Sequence, residues 1–390
     1  MNFSFSSTPR IIFGNGSFTR LKALIEEFQT KNILFITGTS SFRESLKWND
    51  LVSTCKELHV NMNHATISGE PSPGIIDEIC HNFNNEDIGL VISIGGGSVL
   101  DAGKAISAML TKKDSVLNYL EGIGTKQHDG EKIPFIAVPS SAGTGSETTK
   151  NAVISKIGEN GFKKSLRHDN FIPNIALVDP GLTLSLPPGL TAACGMDAFS
   201  QLLESYVSNN GSVLTDSLAK KALKLITKSL PLVVKNGNDI NARSEVSYAA
   251  MISGITLANA GLGAIHGLAS QLGGYFKIPH GVVCGTLLHP ANELNINKLK
   301  KKGGENIFLH KYSEIGKMMS GTNDKNQDYY LDFFLATIEK WTKDMELPLL
   351  DKYGITRNDI SKIVKGTSIK NNPVELNESE LAYILERRLR

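Results

Sequence analysis

Three short, almost wholly apolar runs constrain this chain most: Asn32-Ile33-Leu34-Phe35-Ile36-Thr37, Ile88-Gly89-Leu90-Val91-Ile92-Ser93-Ile94, and Ile133 to Val138. Each is strand-length, rich in β-branched residues, and closed by Gly38, Gly95 or Pro139. A strand with one wet face would alternate apolar and polar side chains, and these do not. Both faces are therefore expected to be covered. Stretches of helical spacing, such as Phe18 to Phe28, lie between the runs. Strand, helix, strand in that order predicts a parallel sheet layered between helices. Upstream, Ile11-Ile12-Phe13 followed by Asn15-Gly16 reads as a strand entering a hairpin-type turn.

After Pro187-Pro188 the pattern changes. Thr191 to Val207, Val213 to Val234, Glu245 to Ala260, and the stretches at 307–319, 328–346 and 358–366 all read as helices. Asn377 to Leu389 adds another, opened by an Asn-x-x-Glu capping pattern. The expected organisation is an α/β domain over 1–186 and an all-helical domain over 187–390.

From Val246 to Phe276 there is no Asp, Glu, Lys or Arg, a length that could span a bilayer. Six glycines, with Ser253, Asn259, His266 and Gln271, make it a poor lipid segment and a better buried helix or helix pair. No membrane association is expected. Charge points the same way: 41 Lys+Arg against 39 Asp+Glu gives +2, and no basic run exceeds Lys300-Lys301-Lys302. Nothing there selects nucleic acid or lipid headgroups as partner. Four dispersed cysteines without a C-x-x-C, and no apolar leader in Met1 to Arg10, give a cytoplasmic expectation.

Two loops at predicted strand ends carry chemistry. In Gly95-Gly96-Gly97-Ser98-Val99-Leu100-Asp101 the glycines let a ligand approach the backbone, and the helix start offers N–H groups and a dipole to a pyrophosphate. Ser98 and Asp101 are spaced for a capping box. The second loop, Pro139-Ser140-Ser141-Ala142-Gly143-Thr144-Gly145-Ser146-Glu147-Thr148-Thr149, has six hydroxyls among eleven residues for phosphate or ribose. Ordinary solvated turns are the plainer alternative for each loop. Further on, Asp197 and Gln201 share a helix face, and His266 and His280 follow. A carboxylate with two imidazoles suits a catalytic divalent cation; a capping aspartate with two core histidines suits the same residues.

Taken in order, Gly95-Gly96-Gly97-Ser98-x-x-Asp101-x-x-Lys104, Pro139 to Glu147, Gly195-Met196-Asp197-Ala198, His266-Gly267-Leu268-Ala269 and Pro279-His280-Gly281 resemble the iron-containing (group III) alcohol dehydrogenase family. The resemblance runs from about residue 8 to the C-terminus. It implies a Rossmann-like domain joined to a helical one in a dehydroquinate synthase-like architecture, with the active site between them. It implies a nicotinamide cofactor, a divalent metal (Fe or Zn) held by Asp197, His266, His280 and the Gln201 position, and a small alcohol or aldehyde substrate. The cofactor would meet Gly96, Gly97, Ser98, Asp101, Ser140, Ser141, Thr144 and Ser146, and Lys163 (neighbour Lys164) would reach its ribose. Asn151 would wall the catalytic pocket.

The departures from that family carry information. Gln201 stands where a fourth metal histidine is usual, and Ser270 where a second histidine usually lies near the substrate. Gly38 stands where NAD-preferring relatives place an aspartate, followed by Thr39, Ser40, Ser41 and Arg43. With no carboxylate to repel a 2′-phosphate, NADP(H) is expected over NAD(H). A homodimer or larger homo-oligomer is the expected assembly. A dehydroquinate synthase-like lyase and a catalytically impaired nucleotide-binding relative are the rival functions.

Overall fold

The computed structural model describes residues 2–390; Met1, the first residue of the leader reading, lies outside the described residues. Strands are β1 (Arg10–Phe13), β2 (Asn32–Gly38), β3 (Asn61–Ile67), β4 (Leu90–Gly95), β5 (Phe135–Pro139), β6 (Asn151–Lys156), β7 (Phe162–Arg167) and β8 (Ile175–Val178). Helices among them are α1 (Leu21–Glu27), α2 (Leu46–Glu57), α3 (Pro73–Phe83) and α4 (Gly97–Met109). Six strands form one parallel sheet in the order β1-β8-β5-β4-β2-β3.

The apolar runs are its centre. Along β2, β4 and β5, Leu34, Ile36, Val91 and Ala137 join a core with α3 and α4. Their neighbours Ile33, Phe35, Leu90, Ile92, Ile136 and Val138 join a second core with α1 and α2. Both faces are dry, which is why alternation is missing from the sequence.

Two local expectations are corrected. Ile11-Ile12-Phe13 is a strand, but it pairs in parallel with β8 and makes no hairpin. The turn after it holds Gly16 at φ 81° and leads into a 3₁₀ turn at Ser17–Arg20. A hairpin that was not expected does occur, at β6-β7, which pair antiparallel apart from the main sheet.

Beyond β8 come α5 (Pro188–Tyr206), α6 (Val213–Lys235), α7 (Ile240–Ala260), α8 (Ala264–Tyr275), α9 (His280–Lys302), α10 (Ile307–Ser320), α11 (Gln327–Asp344), α12 (Ile360–Lys365) and α13 (Glu378–Glu386). No strand follows β8 among the described residues. These helices share a third core, built on residues such as Phe199, Leu230, Ile265, Leu287 and Phe334. The capping box expected at Asn377 and Glu380 opens α13. The charge-free segment becomes α7 and α8, bent by 100° across their break. No single described helix is long and apolar enough to cross a membrane.

Topology places the ligand crevice. The chain runs from β2 outward to β3, then crosses back to β4 on the other side of β2. At that reversal, Thr37 pairs level with Ile94 and Gly95 with Pro139, so the turns after β2, β4 and β5 emerge side by side. Open α/β sheets bind ligands outside such carboxyl ends.

Candidate active site

The glycine loop leads directly into α4, whose N-cap is Gly96 with no side-chain cap. The expected capping box is therefore absent. Ser98 Oγ instead approaches Glu70 Oε1 at 3.5 Å, and Asp101 accepts from Ser146 Oγ. That leaves the first backbone N–H groups of a 13-residue helix free of side-chain capping, the arrangement that favours a bound anion. A Cβ on Gly97 would lie 2.7 Å from the Thr144 side chain, and one on Gly96 3.3 Å from Ser141 Oγ. The glycine and Ser/Thr loops thus face each other closely. Ser140 is tied beside them, its N–H donating to Gly95 O at 2.9 Å.

Lys104, 0% exposed, fastens these parts together. Its ammonium donates to Ser146 O at 2.9 Å, Thr149 Oγ1 at 3.0 Å and Asn151 O at 2.8 Å, with Asp101 at 3.8 Å. Burial pulls its pKa down to about 8, against the opposing pull of Asp101 and Glu147. Burial likewise lifts Glu147 to about 7.

A cavity of about 330 Å³ opens between the two halves. Of the residues singled out from sequence, it brings together Gly97, Ser98, Asp101, Thr144, Ser146 and Asn151 from the α/β side. Lys163 joins from β7, and Gln201, His266 and His280 from the helices, with Ser270 beside them. Strand alternation separates the two neighbouring lysines: Lys163 turns inward to Glu70 at 3.1 Å, and Lys164 is exposed. Gly38, Thr39, Ser40 and Ser41 do not line this cavity; they sit at the end of β2, the last three exposed.

At the helical wall the ionisable groups converge. Asp197 lies on α5, His266 in the first turn of α8, and His280 opens α9. His266 Nε2 stands 3.3 Å and His280 Nε2 3.6 Å from Asp197 Oδ1. Cys284, one turn after His280, brings its Sγ into the same group, and the four donor atoms lie within 4.8 Å of one another. Burial opposes ionisation of Asp197, yet the imidazoles of His280 and His266 hold its pKa down at about 2. Burial also keeps His280 below its usual range, hence neutral, with a lone pair to give. Carboxylate, neutral imidazole and sulfur at this spacing fit a divalent cation.

Glu204 was not anticipated. Asp197, Gln201 and Glu204 are spaced i, i+4, i+7 along α5, so one helix face presents all three, and that spacing is readable. Glu204 Oε1 accepts from the Ile265 N–H at 2.7 Å, and Oε2 lies 2.7 Å from His266 Nδ1. With Nδ1 engaged there, Nε2 is the nitrogen that faces Asp197 and Cys284. Burial opposes protonation of the ring, yet Cys284, Asp197 and Glu204 raise its pKa well above the usual range, and a bound cation would take the place of the Nε2 proton. Glu204→Gln keeps a carbonyl for Ile265 but weakens this hold. Metal affinity is expected to fall about 10–100-fold, with the melting temperature nearly unchanged. Chelator competition measures it, and unchanged affinity would contradict the role. Gln201 reaches the cavity, its Oε1 2.8 Å from the Ser253 hydroxyl, whose one proton is shared with Ala250 O at 2.7 Å.

Comparison with known proteins agrees with this construction. Residues 8–180 match the sequence profile described as iron-containing alcohol dehydrogenase, and residues 191–389 that of the Fe-containing alcohol dehydrogenase family, C-terminal. The chain is 28% identical to the NAD-dependent methanol dehydrogenase of Bacillus methanolicus, over 99% of this chain and 100% of that one. It is 29% identical to the NADPH-dependent butanol dehydrogenase of Clostridium saccharobutylicum, over 97% and 96%. The solved alcohol dehydrogenase from Oenococcus oeni superposes with a TM-score of 0.87 at 29% identity, covering 100% of both chains. A resemblance first carried by five short motifs thus extends over the whole fold: this chain belongs to the iron-containing alcohol dehydrogenase family and is an NAD(P)-dependent, divalent-metal oxidoreductase of alcohols and aldehydes.

Proposed function

We propose that this enzyme prefers NADP(H) and interconverts a primary alcohol with its aldehyde, using Asp197, His266 and His280 to hold the cation. The observation that carries the cofactor choice is Gly38, which ends β2 where the crevice opens and bears no carboxylate. The exposed Thr39, Ser40, Ser41 and Arg43 beside it supply hydroxyls and a positive charge for a 2′-phosphate. One relative is an NADPH-dependent butanol dehydrogenase, which supports the reading. Another is an NAD-dependent methanol dehydrogenase, so the local residues and not membership of the family decide.

When bound, the cation supplies Lewis acidity toward a substrate oxygen and the nicotinamide ring exchanges hydride. The chain does the rest. Free N–H groups at the start of α4 would hold the pyrophosphate, and Ser140, Ser141 and Thr144 would orient the ribose and nicotinamide side. Lys163, held by Glu70 at 3.1 Å, would reach a ribose hydroxyl. Asn151 and the apolar Leu257 and Leu262 bound the substrate space. Ser270 Oγ is directed at Lys163 O at 3.3 Å, which makes it a wall of that space and leaves proton transfer to water or the ribose. Gln201 can add only the remaining lone pair of its carbonyl oxygen to the cation.

Gly38→Asp tests the cofactor assignment. A Cβ there meets nothing closer than Val99 Cγ2 at 4.0 Å, so an aspartate fits without disturbing the fold. The wild type is expected to favour NADPH over NADH in kcat/KM. The variant should lower that ratio about 10–100-fold, about 1.4–2.7 kcal/mol of added repulsion and lost contact. A wild-type preference for NADH would overturn the assignment.

A further inference from the structure

We infer that Cys284 Sγ is a protein ligand of the divalent cation, making the centre of this enzyme Asp197, His266, His280 and Cys284. This rests on the metal-assisted reading above and extends it to a donor outside the set that the resemblance implies. Three observations carry it. Cys284 follows His280 by one turn on α9, so the same helix face presents both donors. Its sulfur lies 3.5 Å from His266 Nε2 and 3.7 Å from His280 Nε2. In addition, the Gln201 position offers only an amide oxygen, 2.8 Å from Ser253 Oγ, where the family resemblance places an imidazole.

The spacing fits a cation. A tetrahedral ion with nitrogen and oxygen donors at about 2.0–2.1 Å and sulfur at about 2.3 Å holds N and O about 3.3–3.4 Å apart, and S and N about 3.5–3.6 Å apart. Here the imidazole-to-Asp197 separations are 3.3 and 3.6 Å, and the sulfur-to-imidazole separations are 3.5 and 3.7 Å. Four of the six donor-to-donor separations thus suit one shared cation, to which a substrate oxygen would add as a fifth ligand. Cys284 is 0% exposed, and Ser200 and Gly285 beside it are buried, so the sulfur faces this group and not solvent. On binding, the S–H bond breaks, sulfur keeps the electron pair it gives to the cation, and the proton leaves to buffer. A soft thiolate beside imidazoles favours zinc over ferrous iron more than an all-nitrogen and oxygen set does.

The test is cobalt(II) substitution of the full-length enzyme, read by absorbance and metal analysis and without reference to turnover. Wild type is expected to bind one ion per chain, with visible d–d bands and a near-ultraviolet sulfur-to-cobalt charge-transfer band. Cys284→Ser and Cys284→Ala should lose the charge-transfer band and weaken cobalt binding about tenfold or more, while Cys194→Ala keeps both. Visible bands in wild type without the charge-transfer band would overturn the inference and leave the Asp197, His266 and His280 centre standing. Absence of bound cobalt altogether would instead overturn the centre, and this inference with it. Matching circular dichroism of the serine variant shows that a lost band reports the ligand and not the fold.

Discussion

Replacing His266 with alanine is expected to remove the bound cation and lower turnover at least about a thousandfold, while nucleotide affinity stays within about twofold. His266 is central to the ionisable cluster: its Nε2 lies 3.3 Å from Asp197 Oδ1 and 3.5 Å from Cys284 Sγ, and its Nδ1 2.7 Å from Glu204. Its loss takes away one donor and leaves two buried carboxylates facing a hole. A Lewis acid contributes several kcal/mol to stabilising developing negative charge, and each 1.36 kcal/mol is about tenfold in rate. The nucleotide loops stand on the other side of the cavity, on β4, α4 and β5, so their N–H groups are untouched. Metal analysis, steady-state kinetics and a nucleotide titration on the same preparation separate these effects. His280→Ala should behave alike, and full activity in both variants would contradict the metal mechanism.

The second large effect is on stability. Lys104→Met is expected to destabilise the fold by about 3–5 kcal/mol, the cost of removing one partner from a buried charged network. Methionine nearly matches the length of lysine, so little cavity forms. What remains is the Asp101 carboxylate without its nearest cation, and the Ser146 and Asn151 carbonyls without their shared donor. Since Lys104 ties the Ser/Thr loop to β6, the variant should also lose nucleotide affinity. Adding Asp101→Asn removes the stranded charge and should recover part of the loss. Denaturant midpoints measure both, and a loss below about 1 kcal/mol for Lys104→Met would contradict the role given to this network.

How much of this was readable depends on burial and spacing. β2, β4 and β5 were legible because both faces are dry and the apolar run is unbroken. β3 was not: Asn61-Met62-Asn63-His64 at the sheet edge is largely polar, and β6-β7 carries three lysines on a hairpin outside the sheet. Most helices of the second half were legible to within a few residues, as Val213–Lys235 against Val213 to Val234 illustrates, but α9 (His280–Lys302), with Pro290 inside it and a polar, lysine-rich second half, was not. Local signals misled where tertiary contacts took the side chain. Asn15-Gly16 makes its turn, but β1 joins β8 and no hairpin forms. Ser98 and Asp101 have capping-box spacing, yet their side chains are engaged by Glu70 and Ser146. Asp197, His266 and His280 were found through motifs and do converge. Glu204 and Cys284 lie on the same helix faces as Asp197 and His280, at i+7 and i+4, but Glu204 carries no motif of its own and Cys284 sits on α9, whose helix the sequence pattern does not show.

The most direct test of the central claim is a titration of chelator-stripped enzyme with zinc or ferrous iron, following NADPH oxidation by a straight-chain aldehyde. Activity is expected to be negligible at the start, to rise linearly, and to break at one ion per chain; undiminished activity in protein shown by metal analysis to be stripped would contradict the account.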